Sequence, residues 1–193
     1  MPSLASDDLS RRRTREGIVF LIGFGACVPA ANWLIQHVGT TCVPNGPCLI
    51  PVAPGLSAPS GVLMVGLALV LRDLVQRRLG LVWSVVAILI GAALSATFAP
   101  PSLVIASAVA FLLSEAADLC VYTPLQRRQF MLAVVASSFV GIVVDSIVFL
   151  YLAFGSLQFL GGQIVGKTWM VALTIPVLWW LRARDQRIGL NAV

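Results

Sequence analysis

The sequence predicts an all-α integral membrane protein, a single compact domain of six transmembrane helices with both termini in the cytoplasm. Three observations predict it. Of 193 residues, 59% are hydrophobic and 11% charged, with a mean hydropathy of +0.94, whereas a soluble domain carries about 25% charge. The apolar residues gather in stretches close to the 20 or so that a spanning helix needs. The basic residues gather at every second gap between those stretches, as expected where Lys and Arg stay on the cytoplasmic side. Six spans use about 120 of the 193 residues, so no separate catalytic domain fits in the remainder. Four Cys and one His make a multi-histidine metal or haem site unexpected, and neither metal nor cofactor is predicted. The net charge of +5 lies at membrane edges, so the lipid bilayer, not nucleic acid, is the expected partner.

Residues 1–16, MPSLASDDLSRRRTRE, read as a basic cytoplasmic tail. The apolar stretch that follows, Gly17 to Val38, is longer than a signal-peptide core and lacks an A-x-A cleavage pattern, so it is the first span. Further spans are expected at Pro59 to Leu79, Leu81 to Phe98, Ser102 to Tyr122, Phe130 to Ala153 and Gln163 to Leu181. The six-helix transmembrane domain is thus 17–182, and 183–193 form a second cytoplasmic tail. Arg11, Arg12, Arg13 and Arg15 precede span one, Arg77 and Arg78 follow span two, Arg127 and Arg128 follow span four, and Arg182, Arg184 and Arg187 follow span six. The opposite connections, 39–58, 99–101 and 154–162, contain no Lys or Arg.

The long outer connection, GTTCVPNGPCLIPVAPGLSA, is too rich in Pro and Gly for a regular helix. Its Cys42 and Cys48 are open to two readings, a disulfide in an oxidising compartment or two free thiols; a metal site with His37 is a remote third. Cys27 and Cys120 read as packing residues. Pro100 and Pro101 make the third connection so short that spans three and four are antiparallel neighbours. Gly91, Ala92 and Ser95 suggest close packing on a neighbour, a second protomer among the candidates.

Polar residues inside spans carry the functional signal. A charge near the middle of a span costs about 2.5–3.5 kcal/mol on insertion scales, so it faces the bundle interior and serves a function or a partner. Six occur: Arg72, Asp73, Glu115, Asp118, Asp145 and Lys167. Four acids against two bases leave a formal excess of two negative charges, which implies a polar cavity. Phe111, Glu115, Asp118 and Tyr122 share one helical face; so do Ser138, Gly141, Asp145 and Phe149, and so do Gln163, Lys167, Val171 and Thr174. Lys167 and Asp145 lie at the same end of antiparallel helices and are expected to pair. Plainer readings stand beside these. Arg72 snorkels to the inner interface with Asp73 as counter-ion, Lys167 snorkels outward, and the acids clamp helices together. Trp33, Trp83, Trp179 and Trp180 belong to the interfacial belt, with Trp169 deeper.

Four segments carry a family resemblance: LVLRDLVQRRLG, FLLSEAADLCVYTPLQRR, ASSFVGIVVDSIVFLYLAFG and GQIVGKTWMVALTIPVLWWL. They resemble segments of the VUT family, the queuosine-precursor transporters, and Asn32 in PAANWLIQ resembles a polar position of that family's first span. The resemblance implies uptake of a 7-deazaguanine base across a prokaryotic cytoplasmic membrane by a six-helix fold similar to the substrate-binding subunit of energy-coupling-factor transporters. An energy-coupling partner or a homo-oligomer is compatible with it. Carried onto this chain, the resemblance points to Asn32, Asp73, Glu115, Asp118, Asp145, Gln163 and Lys167, while Arg72 directly before Asp73 is a departure.

The residue types suit such a ligand. A carboxylate accepts the base's N1–H and exocyclic amine together; Lys167, Gln163 and Asn32 are expected donors to O6 and N3, and Phe149, Trp169 or Tyr122 supplies a ring face. The chain has no G-x-x-x-x-G-K-[ST] loop for ATP. An intramembrane enzyme fits less well: His37 is alone at a span edge, and no G-x-G-D pattern accompanies the acids. A structural subunit leaves the acidic interior without a purpose.

Overall fold

The computed structural model describes residues 2–44, 46–99 and 101–190. Pro100 of the third connection and residues 191–193 of the second tail lie outside the described residues. The elements run α1 (Pro2–His37), β1 (Thr41–Cys42), β2 (Cys48–Ala53), β3 (Leu56–Pro59), α2 (Val62–Leu79), α3 (Leu81–Phe98), α4 (Val104–Leu125), α5 (Phe130–Phe154) and α6 (Leu160–Ile188). Five of these helices, all but α2, are long and apolar enough to cross a membrane. The sixth expected span, α2, carries Arg72, Asp73, Arg77 and Arg78 along 18 residues, 12 of them buried. It is a helix enclosed by other helices, which its charges require.

Two boundaries differ from expectation. α1 begins at Pro2, so the basic tail is the first turns of one continuous helix, and α6 continues to Ile188 through most of the residues assigned to the second tail. Neither junction carries a proline, so the internal hydrogen bonding of each helix continues through it.

The Pro- and Gly-rich connection folds as a three-stranded antiparallel sheet in the order β1-β2-β3. Cys42 pairs with Cys48 in the β1–β2 register and the two form a disulfide. The sheet is anchored at both sides: Ser60 Oγ donates to the Leu34 carbonyl of α1 at 2.7 Å, and Trp169 of α6 donates its indole N–H to the Val52 carbonyl at 3.2 Å. That bond places Trp169 at the surface, 57% exposed, and away from any ligand.

Burial is inverted relative to a soluble protein. Val82, Ile105, Leu173 and Trp179 are each more than 60% exposed, whereas Arg72, Asp73 and Asp118 are fully enclosed. A dry apolar solvent around the bundle accounts for both facts. Helices approach closely where side chains are absent: a Cβ on Gly66 of α2 would sit 2.6 Å from the Lys167 carbonyl oxygen of α6. Gly91 packs on the rings of Phe111 and Phe24 in this same chain, and Ser95 is buried. Gly91 and Ser95 on the small-residue face of α3 therefore pack on neighbouring helices of the same chain, the close packing that the sequence suggested.

Candidate functional site

Each of the six helices contributes to one cavity, and all contribute from the half nearest the sheet. Its lining includes Asn32 of α1, Met64 of α2, Ser95 of α3, Phe111 and Glu115 of α4, Asp145 and Phe149 of α5, and Gln163 and Lys167 of α6. Its volume is about 80 Å³, smaller than the roughly 300 Å³ at which ordinary small-molecule sites begin. The lining is mostly apolar, with a few polar groups arriving from different helices.

The helical faces expected from the spacing place these groups. Gln163, Lys167 and Val171 are buried on one side of α6, and Ser138, Gly141 and Asp145 on one side of α5. Lys167 Nζ donates to Asp145 Oδ2 at 2.5 Å, Gln163 Oε1 at 2.5 Å and Ser146 Oγ at 2.8 Å. The expected Lys167–Asp145 pair is thus present, and Lys167 does not snorkel. With three acceptors for three N–H groups, Lys167 has no donor left for a ligand. Its role is to hold Asp145 and to turn Gln163 so that Nε2 is the free donor.

Asn32 also differs from the expected role. Its Nδ2 donates to the Val28 carbonyl at 3.0 Å, which leaves Oδ1 to the cavity as an acceptor.

Glu115 is 2% exposed and accepts from Arg72 Nε through Oε2 at 3.0 Å. Among the described residues its Oε1 receives no protein hydrogen bond and is not enclosed, so this oxygen faces the cavity. Arg72 lies behind Glu115 and not at the interface. Its Nη2 contacts Asp118, its Nη1 lies 3.0 Å from Asp73 Oδ1, and Nη1 donates to Gln76 Oε1 at 3.4 Å. Tyr122, expected as a ring face, instead lies under this guanidinium, with the Arg72 Cζ 5.8 Å from the ring centroid.

The eight residues singled out from sequence therefore divide. Asn32, Glu115, Asp145, Phe149, Gln163 and Lys167 line the cavity. Asp73 and Asp118 form a second layer behind Arg72. Arg72 is the residue whose importance sequence reasoning missed; the available signal was its position beside Asp73 in a helix that already had two basic residues at its end. Phe111 joins Phe149 as the other ring in the lining.

The family described as "Putative vitamin uptake transporter" matches residues 79–181, more than half of the chain. The chain belongs to this family. No curated protein and no solved structure matches it. The matched segment of the vitamin uptake transporter family runs from the end of α2 into α6 and includes Glu115, Asp118, Asp145, Phe149, Gln163 and Lys167. Asn32, Arg72 and Asp73 precede it. A multi-pass membrane transporter is thus indicated both by the family and by the apolar helices.

Proposed function

We propose that this chain imports a queuosine precursor, 7-cyano- or 7-aminomethyl-7-deazaguanine, across the cytoplasmic membrane of a prokaryote. In this reading all six helices span, the Arg-rich end with both termini is cytoplasmic, and the cavity opens outward beneath the disulfide-bonded sheet. The observation that supports it most is the geometry at Glu115. A carboxylate fixed through one oxygen presents the other to a cavity that has rings from Phe111 and Phe149 in its lining. A deazaguanine edge offers N1–H and an amine to that acceptor, its O6 meets Gln163 Nε2, and the rings stack on its faces. Adenine presents an acceptor where guanine presents N1–H, and leaves Glu115 unpaired.

The family's broader description favours a second reading, uptake of another vitamin-like compound, with this chain as the substrate-binding subunit of a larger transporter. Thermal-shift titration of purified protein decides between them. Stabilisation by the deazaguanines and not by adenine is expected. Glu115→Gln should weaken the deazaguanine by roughly 10- to 150-fold, the worth of a charge-assisted hydrogen bond of about 1.5–3 kcal/mol. Silence with both bases, or equal response to adenine, overturns the substrate assignment. Restored uptake in a cell unable to make the base tests flux.

A further inference from the structure

Behind the cavity, three carboxylates share one cation. Arg72 bridges Glu115, Asp73 and Asp118, and all four are at most 2% exposed. Of the six charges read within spans, the other two, Lys167 and Asp145, pair with each other and are neutral together. The excess of two negative charges therefore falls entirely on the Arg72 cluster, in a region where an uncompensated charge is costly. Glu115 presents one of them to the cavity. The other belongs to Asp73 and Asp118, which have no access to it.

The surroundings of that pair are specific. Ser137 Oγ donates to Asp73 Oδ2 at 3.1 Å. Asp73 Oδ1, though near Arg72, is not aligned for a hydrogen bond, and Asp118 Oδ2 has no partner; both atoms are fully buried. The two carboxyls sit on the two terminal nitrogens of one guanidinium, Asp73 Oδ1 at Nη1 and Asp118 Oδ1 at Nη2, and two buried carboxylates on one cation leave a charge that a shared proton would remove. From α4, Tyr122 is also fully buried and its hydroxyl is without a partner; from α5, Ser137 and Ser138 face inward; from α2, Gln76 and Arg77 follow one turn below. No second cation reaches the pair among the described residues.

Resting on the transport reading above, we infer that Asp73 and Asp118 share one exchangeable proton and form the proton-coupling site of the transporter. The proton adds to one carboxylate and is held by the other, bringing the pair and Arg72 to neutrality. Coupling follows from the shared guanidinium. Arg72 touches the cavity acid through Nε and the pair through its two other nitrogens, so neutralising the demand of Glu115 with a ligand's N–H groups changes how strongly Arg72 is held by the pair. Binding of substrate and proton are then linked, and the linkage is reciprocal. Inward movement of the base together with the proton would use the proton gradient as its energy source, which the absence of an ATP-binding loop leaves open.

Two measurements test this, and the first needs no substrate. Infrared spectra of the purified protein in lipid should show the carbonyl stretch of a protonated carboxyl at neutral pH, shifted by deuterium exchange and lost in Asp118→Asn and in Asp73→Asn. Its absence from the wild-type protein overturns the proposal. In liposomes, an inside-alkaline pH gradient should concentrate the deazaguanine several-fold inside. The accumulation ratio should fall to one in either asparagine variant, each checked for monodispersity so that one well-folded variant suffices. Accumulation driven by a sodium gradient, or unaffected by pH, overturns the coupling. Failure of any gradient to move the base overturns the substrate reading alone, because the infrared band still decides whether the pair holds a proton.

Discussion

All three ammonium protons of Lys167 are committed within the protein, and the energetic weight of that arrangement is unequal between its partners. Truncating Lys167 leaves Asp145, 7% exposed, without a cation, and breaking a buried pair on one side costs about 3–5 kcal/mol. Removing both charges is often close to neutral. Lys167→Ala should therefore lower the denaturation midpoint in detergent sharply, and Lys167→Ala with Asp145→Ala should recover most of the loss. Equal destabilisation by the single and double variants would show that Asp145 finds another partner. At this scale the sequence was informative for α4, α5 and α6, where helical periodicity alone brought Glu115, Asp145, Gln163 and Lys167 to inward faces. It was misleading for Arg72. Spacing along a helix reports rotation but not how deep the helix sits, and an Arg one turn from Arg77 looks like an interface residue until α2 is known to be walled in by its neighbours.

Between elements, the crossing of α2 and α6 positions the cavity's polar groups. Gly66 lets the α2 backbone come against α6 at Lys167, and a methyl group there would meet the Lys167 backbone, which cannot swing aside as a flexible side chain can. Gly66→Ala is expected to push the helices apart, destabilise the fold and displace Lys167 from Asp145, weakening ligand binding in the same variant. Gly25 of α1 is the matched control: a Cβ there has nothing within 4 Å. Gly25→Ala should be neutral or stabilising by about 0.5–1 kcal/mol, the helix preference of Ala over Gly. Parallel thermal melts separate the two, and similar melting of both variants would discount the close approach. Of this crossing the sequence showed only glycines within spans. Which of them face a neighbouring backbone depends on tertiary packing that no single helix encodes. The sheet between α1 and α2 was legible only as a non-helical stretch, because its strands are short and contain prolines.

For the whole molecule, the charge pattern makes a stronger statement than any one residue. The Arg-bearing ends of the helices gather opposite the disulfide-bonded sheet. There Arg78 pairs with Glu16 at 2.9 Å and with Asp185 at 2.8 Å, joining α1, α2 and α6. A cluster of basic residues resists translocation, and a disulfide persists on the oxidising side, so two independent arguments support the orientation proposed above. Single cysteines placed in Cys-free protein test it in intact cells. Ser156→Cys, in the exposed turn between α5 and α6, should react with a membrane-impermeant maleimide added outside. Arg128→Cys, in the exposed turn between α4 and α5, should react only after the membrane is permeabilised. The opposite pattern would invert the protein and place the cavity mouth in the cytoplasm, making the Glu115 site one for release or export. Labelling of both sites from one side would mean that α5, the 25-residue helix between them, does not cross the bilayer at all.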